Sequence, residues 1–296
     1  MPALRHRGTA ATGPTRVTGE PMLAPLCRDA RTGEALCIDL TAGISLALPL
    51  AFDDTQPRHF GAPPARSTPY VTGSFNGEVA RGASCNCRSV TLVPHCNGTH
   101  TEGAGHLTID CPPLHAQIPS QPLPALLLSV TPQAAASSDE TSLPPPQPGD
   151  ALITGQSLLA AWPASLPFAP QVLVLRTQAS ATQPSGAGHD ATNPPYLTLH
   201  CAQTLVARGI LHLVIDLPSI DRSQDEGRLS AHRVLFGLPP GVTDYAAATR
   251  PQATVTELAH IDASLPDGPC AVQLQVPAWT GDALPSRPLL FALVTP

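Results

Sequence analysis

The sequence predicts one α/β domain built on a mixed β-sheet with few helices. Three observations lead there. Short apolar runs recur along the chain, as at 126–130, 171–176, 211–215 and 289–294, and they are too short for helices. Sustained helical spacing is confined to 197–206. No linker with a composition shift across it divides the chain, so its long insertions read as surface loops on one body.

Composition narrows the function classes. The 296 residues are 42% apolar, enough for a substantial core, and include 36 prolines. All 16 basic residues are Arg, the net charge is -6, and no basic cluster offers a footprint for nucleic acid. No apolar run approaches the ~18 residues of a membrane span. The polar, Arg-bearing start lacks a secretory apolar core, so 1–35 reads as a disordered tail and the protein as cytoplasmic. Eight cysteines are too sparse and irregular for a disulfide framework.

In chain order, 36–41 and 44–48 read as strands, and 53–57 is turn chemistry. His59-Phe60-Gly61 follows in a loop whose aromatic can line a pocket. Residues 89–93 alternate as a strand and deliver a histidine-rich stretch. After a strand at 126–130, residues 132–150 read as an exposed low-complexity loop. A short strand at 151–154, a helical turn at 157–161 and a buried strand at 171–176 come next. Residues 178–193 form a second insertion. Pro194-Pro195 suits a helix start and Gly209 its end. Residues 211–215 then read as a central strand carrying Asp216 and Asp221, two expected turn residues, at its carboxyl end. An apolar segment at 230–236, an insertion at 237–252, a segment at 255–258 and strands at 270–276 and 289–294 complete the chain.

The chemistry concentrates in His95-Cys96-Asn97-Gly98-Thr99-His100-Thr101-Glu102-Gly103-Ala104-Gly105-His106. Imidazole and carboxylate are the donors that suit Zn, Mn or Fe. In an extended segment His100, Glu102 and His106 share one face. His95 joins them if Asn97-Gly98 forms a bulge that re-aims it. On this reading His95, His100 and Glu102 are metal ligands, and His106 is either a ligand or the acid/base of a hydrolysis. The competing readings are a polar loop with incidental histidines and, less well spaced, zinc held by Cys85, Cys87, Cys96 and Cys111. No Gly-x-Ser-x-Gly elbow or phosphate-cradling loop is present, and the absence of Lys excludes Schiff-base chemistry.

The stretch resembles the His-x-Gly-Thr-His-x-Asp-x-x-x-His signature of the metal-dependent cyclase family, which includes bacterial kynurenine formamidases and isatin hydrolases. Residues 196–236, with their Asp216-Leu217-Pro218-Ser219-Ile220-Asp221 loop, are similar to the family's helix, strand and loop, as are Ile38-Asp39-Leu40-Thr41 and Pro285-Ser286-Arg287-Pro288. The resemblance implies a compact domain whose sheet is partly barrel-like, a metal site at His95, His100, Glu102, His232 and Glu257, and proton transfer by His106. It further implies substrate contact by Phe60, one or two divalent ions (Zn or Mn), and a homodimer or larger assembly. An extra residue between His95 and His100, Glu102 in place of Asp, and the wide spacing of His232 and Glu257 mark a divergent subfamily. The function expected is hydrolysis of a non-peptide amide, arylformamidase-like or ring-opening. A non-catalytic metal- or ligand-binding protein on the same fold is the alternative.

Overall fold

A computed structural model describes residues 20–53, 55–177 and 193–294. Strands β1 (Leu23–Arg28), β2 (Ala35–Asp39) and β3 (Ile44–Ser45) open the chain. Strands β4 (Arg66–Pro69), β5 (Val71–Thr72), β6 (Phe75–Asn76) and β7 (Arg88–Thr91) make two small ribbons outside the main sheet. Helix α1 (Pro94–Asn97) and strand β8 (His100–Gly103) follow. Then come β9 (Leu123–Ser129), β10 (Gln133–Ala134), β11 (Ala151–Ile153), α2 (Gly155–Ala161), β12 (Val172–Arg176), β13 (Tyr196–Leu197) and α3 (Leu199–Ala207). The chain ends with β14 (His212–Ile215), α4 (Ser230–Phe236), β15 (Thr254–Glu257), β16 (Gly268–Gln273), β17 (Ala283–Pro285) and β18 (Leu289–Val294).

The main sheet runs β1-β2-β18-β16-β9-β12-β14-β15-β8-β17. Strands β9, β12, β14 and β15 are parallel, and the flanks are antiparallel. The mixed sheet with few helices is the architecture expected. Its barrel character has a specific cause. β3 pairs with β18 on one flank, and Ala47 bridges Ala259, just past β15, on the other. Leu46 therefore sits fully buried inside the curl among Leu127, Val174, Val214 and Leu290. Alternation along β12 sends Val172 and Val174 inward and Leu173 and Leu175 outward, where α2, α3 and α4 cover them.

Local chemistry accounts for the differences from the sequence reading. Helix α3 begins at Leu199 rather than at Pro194-Pro195, because the Thr198 hydroxyl accepts from the Cys201 amide and Tyr196–Leu197 pairs with β11. Leu23–Arg28, expected in a tail, forms an antiparallel pair with β2 that satisfies its backbone. The rest of that tail, 1–19, lies outside the described residues.

Residues 132–150 run largely along the surface and are anchored at Glu140 and Asp150. Glu140 accepts from the Gly155 and Gln156 amides at the start of α2, and buried Asp150 accepts from the Tyr196 hydroxyl at 2.6 Å. Carboxylates with such partners cannot hang in solvent. Within 237–252, Arg250 donates to the carbonyls of Leu235 and Ile210. The insertion expected at 178–193 falls, except for Asn193, outside the described residues. Among the described residues no helix is long and apolar enough to cross a membrane.

Candidate metal centre

Strand pairing builds the floor of the site. On β8, His100 stands opposite Glu257 of β15, and Glu102 stands opposite Val255. Directly opposed residues share a face, so both carboxylates and His100 point the same way. Thr101 and Thr256 point the other way and meet at 2.7 Å.

His95 arrives by a route the strand reading missed. Asn97-Gly98 is not a bulge. Pro94–Asn97 form one helical turn, which Pro starts and the extended Gly98 ends. The turn swings His95 back over β8, with Nδ1 2.7 Å from Glu102 Oε2. Asn97, 1% exposed, locks the turn. Its side-chain carbonyl accepts from the Val93 amide, and its amide donates to the carbonyls of Pro57 and Pro63, fixing the loop that carries Phe60. His106 sits in a 3-10 turn after β8 instead of extending the strand, its ring 4.3 Å from that of His95.

Two aspartates complete the arrangement. Asp221, expected as a local turn residue, accepts from the Ala231 and His232 amides at the start of α4, and its Oδ2 lies 2.7 Å from His232 Nδ1. Asp282 was not singled out. Its Oδ2 lies 2.8 Å from His95 Nε2 and 3.4 Å from His106 Nδ1. No local motif marks it. The pairing of β17 with β8, which sets Ala283 opposite Glu102, brings it there.

A carboxylate or carbonyl oxygen only accepts, so each of these contacts fixes an imidazole proton. Asp282 holds the proton on His95 Nε2, the Gly98 carbonyl on His100 Nδ1 at 3.0 Å, and Asp221 on His232 Nδ1. The opposite nitrogens all face Glu102 and Glu257. His232 Nε2 is 2.6 Å from Glu102 Oε1 and 3.4 Å from Glu257 Oε1, and His100 Nε2 is 3.4 Å from Glu257 Oε2. Glu257 is itself held by the Ile220 amide at 2.8 Å.

The electrostatics follow from burial and partners. Burial works against charge on His95, yet Asp282 and Glu102 outweigh it and push that imidazole up to about 10. Burial likewise opposes charge on His232, and the Glu102 and Asp221 carboxylates hold it well above its ordinary value. Burial would raise Glu102, but His232 and His106 bring it well below the usual range. Without an ion, protons carry the positive charge that the carboxylates demand.

The donors fit a divalent cation. His100 Nε2 is buried with no aligned hydrogen-bond partner, and the equally buried His232 Nε2 and Glu102 Oε1 lie 2.6 Å apart with no further one; an ion would take up all three. Two groups can each hold an ion, His95-Glu102-His106 and His100-Glu102-Glu257, and Glu102 belongs to both. No cysteine joins either group, and Cys85 and Cys87 are exposed free thiols. A cavity of about 200 Å³ opens onto the centre, lined also by Phe60, Ser219, Arg222 and Leu229. Phe60 is half exposed and, like Gly61, takes a left-handed backbone (φ 56° and 70°).

His95, Glu102, His106, His232, Glu257 and Phe60 therefore line one cavity, and His100, fully buried, lies behind it against Glu257. Among the other histidines, His200 pairs with Glu140, His212 with Thr254 and His115 with the Trp279 carbonyl. His189 lies outside the described residues.

Comparisons with known proteins agree with this architecture. No curated protein sequence matches the chain. The structure is similar to a predicted metal-dependent hydrolase from Bacillus stearothermophilus, at 18% identity and TM-score 0.53, over 84% of this chain and 97% of that one. It is also similar to isatin hydrolase A from Ralstonia solanacearum, at 16% identity and TM-score 0.56, over 84% and 91%. An isatin hydrolase bound to the product analogue thioisatinate matches at 15% identity and TM-score 0.53, over 86% and 93%. At these identities the likeness is one of fold. The Cyclase family model matches residues 38–222, which span the strands and loops that carry His95, His100, Glu102, His106 and Asp221. The chain belongs to the Cyclase family.

Proposed function

We propose that the protein is a metal-dependent hydrolase that cleaves a non-peptide amide C–N bond of a small molecule, an arylformamide or a cyclic amide. One observation carries the reading. Three imidazoles are each anchored through one nitrogen, and their other nitrogens face the buried Glu102–Glu257 pair. Such anchoring is what metal-ligating histidines need for tautomer and orientation. His95, His100, Glu102, His232 and Glu257 would hold the zinc or manganese, Glu102 being common to both donor groups.

A bound divalent ion supplies Lewis acidity, polarising the carbonyl and making water a nucleophile near neutral pH. The chain's residues do the rest. Phe60 and Leu229 offer apolar surface to the body of the substrate. Asp282 keeps the proton of His106 on Nδ1 and leaves Nε2 for exchange with the cavity. As water adds to the carbonyl carbon, His106 Nε2 takes its proton, and as the C–N bond breaks the same nitrogen hands that proton to the departing amine.

The test is metal analysis of purified protein, followed by turnover of formanilide, small lactams and isatin with and without chelator. At least one ion per chain, chelator-sensitive turnover and a 10²- to 10⁴-fold loss in His106→Ala, the range for a removed acid/base, are expected. Stoichiometric metal without turnover of any member of the panel would leave a binding protein and end the hydrolase reading.

A further inference from the structure

The metal donors and His106 leave one charged member of the cavity wall unused, Arg222. It follows Asp221 directly, so one loop residue steadies His232 while the next faces the cavity. Its side chain is 15% exposed, and its Nε lies 3.2 Å from Asp150 Oδ2.

Asp150 is a built anchor. It is 3% exposed and also accepts from the Gln147 amide, the Asn193 side chain and the Tyr196 hydroxyl. Burial works against its charge, and these donors together with Arg222 hold it below its ordinary value. The guanidinium is thus gripped by one edge. Among the described residues, Asp150 is the one carboxylate within ion-pair reach of it.

Apart from the metal donors Glu102 and Glu257, the carboxylate in the cavity wall is already committed. Asp225 accepts from the Gly227 amide through Oδ1 and from the Leu229 amide through Oδ2. A guanidinium has five donors in a planar fork, so one carboxylate contact at Nε does not use up its capacity. The acceptor that matches the fork is a carboxylate.

We propose that Arg222 receives a carboxylate carried by the substrate, so that the enzyme selects amides bearing an acid group away from the scissile bond. This rests on the amide hydrolase reading above. The substrate then meets two fixed points, its amide at the imidazole–carboxylate centre and its acid group at Arg222, with Phe60 and Leu229 on the same cavity wall. Asp150 acts as the positioning residue that presents the fork.

The experiment compares formanilide with its ring-carboxylated counterpart on the metal-loaded full chain. Wild-type kcat/KM is expected to favour the acid by on the order of 10- to 100-fold, the range of a charge-assisted pair, mainly through KM. Arg222→Met should bring the ratio near one. Arg222→Lys, which keeps the charge but not the fork, should fall between and guards against a folding defect in Arg222→Met. A wild-type ratio near one, or an Arg222→Met ratio equal to wild type in a protein of unchanged melting temperature, overturns the proposal. So does an effect confined to inhibition by the carboxylate product. If neither amide turns over, calorimetry on the same protein decides. Tighter binding of the acid that is lost in Arg222→Met keeps the carboxylate site and removes only the hydrolase reading, whereas equal binding removes the site.

Discussion

His232 Nε2 lies 2.6 Å from Glu102 Oε1, while His232 Nδ1 lies 2.7 Å from Asp221 Oδ2. One buried imidazole is strung between two carboxylates with distinct roles. Asp221 also takes two amides of α4, so it is fixed to the helix. Glu102 instead contacts imidazole nitrogens of His95 and His232, whose protons an ion would replace. Asp221→Asn replaces one of the two acceptor oxygens by a donor and removes the charge that keeps the proton on Nδ1. It should weaken metal affinity 10- to 100-fold, the usual effect of losing such a partner. Competition with a chromophoric chelator measures it, and unchanged affinity would refute the anchoring role.

Asp282 makes the same contact from a loop. Its carboxylate is about half exposed, so its pairs with His95 and His106 contribute little to folding. Asp282→Asn should leave the melting temperature within a few degrees while lowering both metal affinity and kcat. A large drop in melting temperature with kinetics intact would show a structural post instead.

Metal uptake should release protons. His95, raised to about 10, and His232, held well above its ordinary value, carry protons near pH 7 in the metal-free protein. An ion must displace them, so affinity falls as pH falls. Calorimetry in two buffers of different ionisation enthalpy should return at least one proton per ion. Zero would mean that these nitrogens do not ligate.

His212, away from the centre, sets an acid limit. Burial, with help from Arg250, pushes it down to about 4, so it is neutral in the fold. The unfolded chain takes up the proton near pH 6.5, so His212 costs the fold nothing above that value. Stability is then lost as pH falls toward 4, by up to about 3 kcal/mol. His212→Asn, which keeps a partner for the Thr254 hydroxyl, should flatten melting temperature against pH over that interval. An unchanged slope would contradict it.

Much of the fold was legible in the sequence because buried strands must be apolar. Val172–Arg176, His212–Ile215 and Leu289–Val294 lie within a residue of where the pattern placed them. The His95–His106 stretch was legible because its donors are close in sequence. Its shape was not. A proline-started helical turn and a bulge both re-aim a side chain, and only packing on Asn97 distinguishes them. Glu257 came from family resemblance, since an isolated acid has no signature. Asp221 read as a turn residue because its partners lie some ten positions on, at the start of α4. Asp282 was invisible because a strand pairing across the chain delivers it.

The alignment of β8 against β15 has a further consequence. His100 opposes Glu257, and the threonine pair occupies the other face. A slip of one residue would exchange the faces, presenting hydroxyls to the cavity and burying carboxylates against apolar neighbours. The complete donor set exists at a single alignment. Capturing an ion and pairing these strands correctly are thus linked equilibria, and an ion present at about a hundred times its dissociation constant would favour the aligned chain by about 2.7 kcal/mol. The centre serves as a gauge of its own assembly.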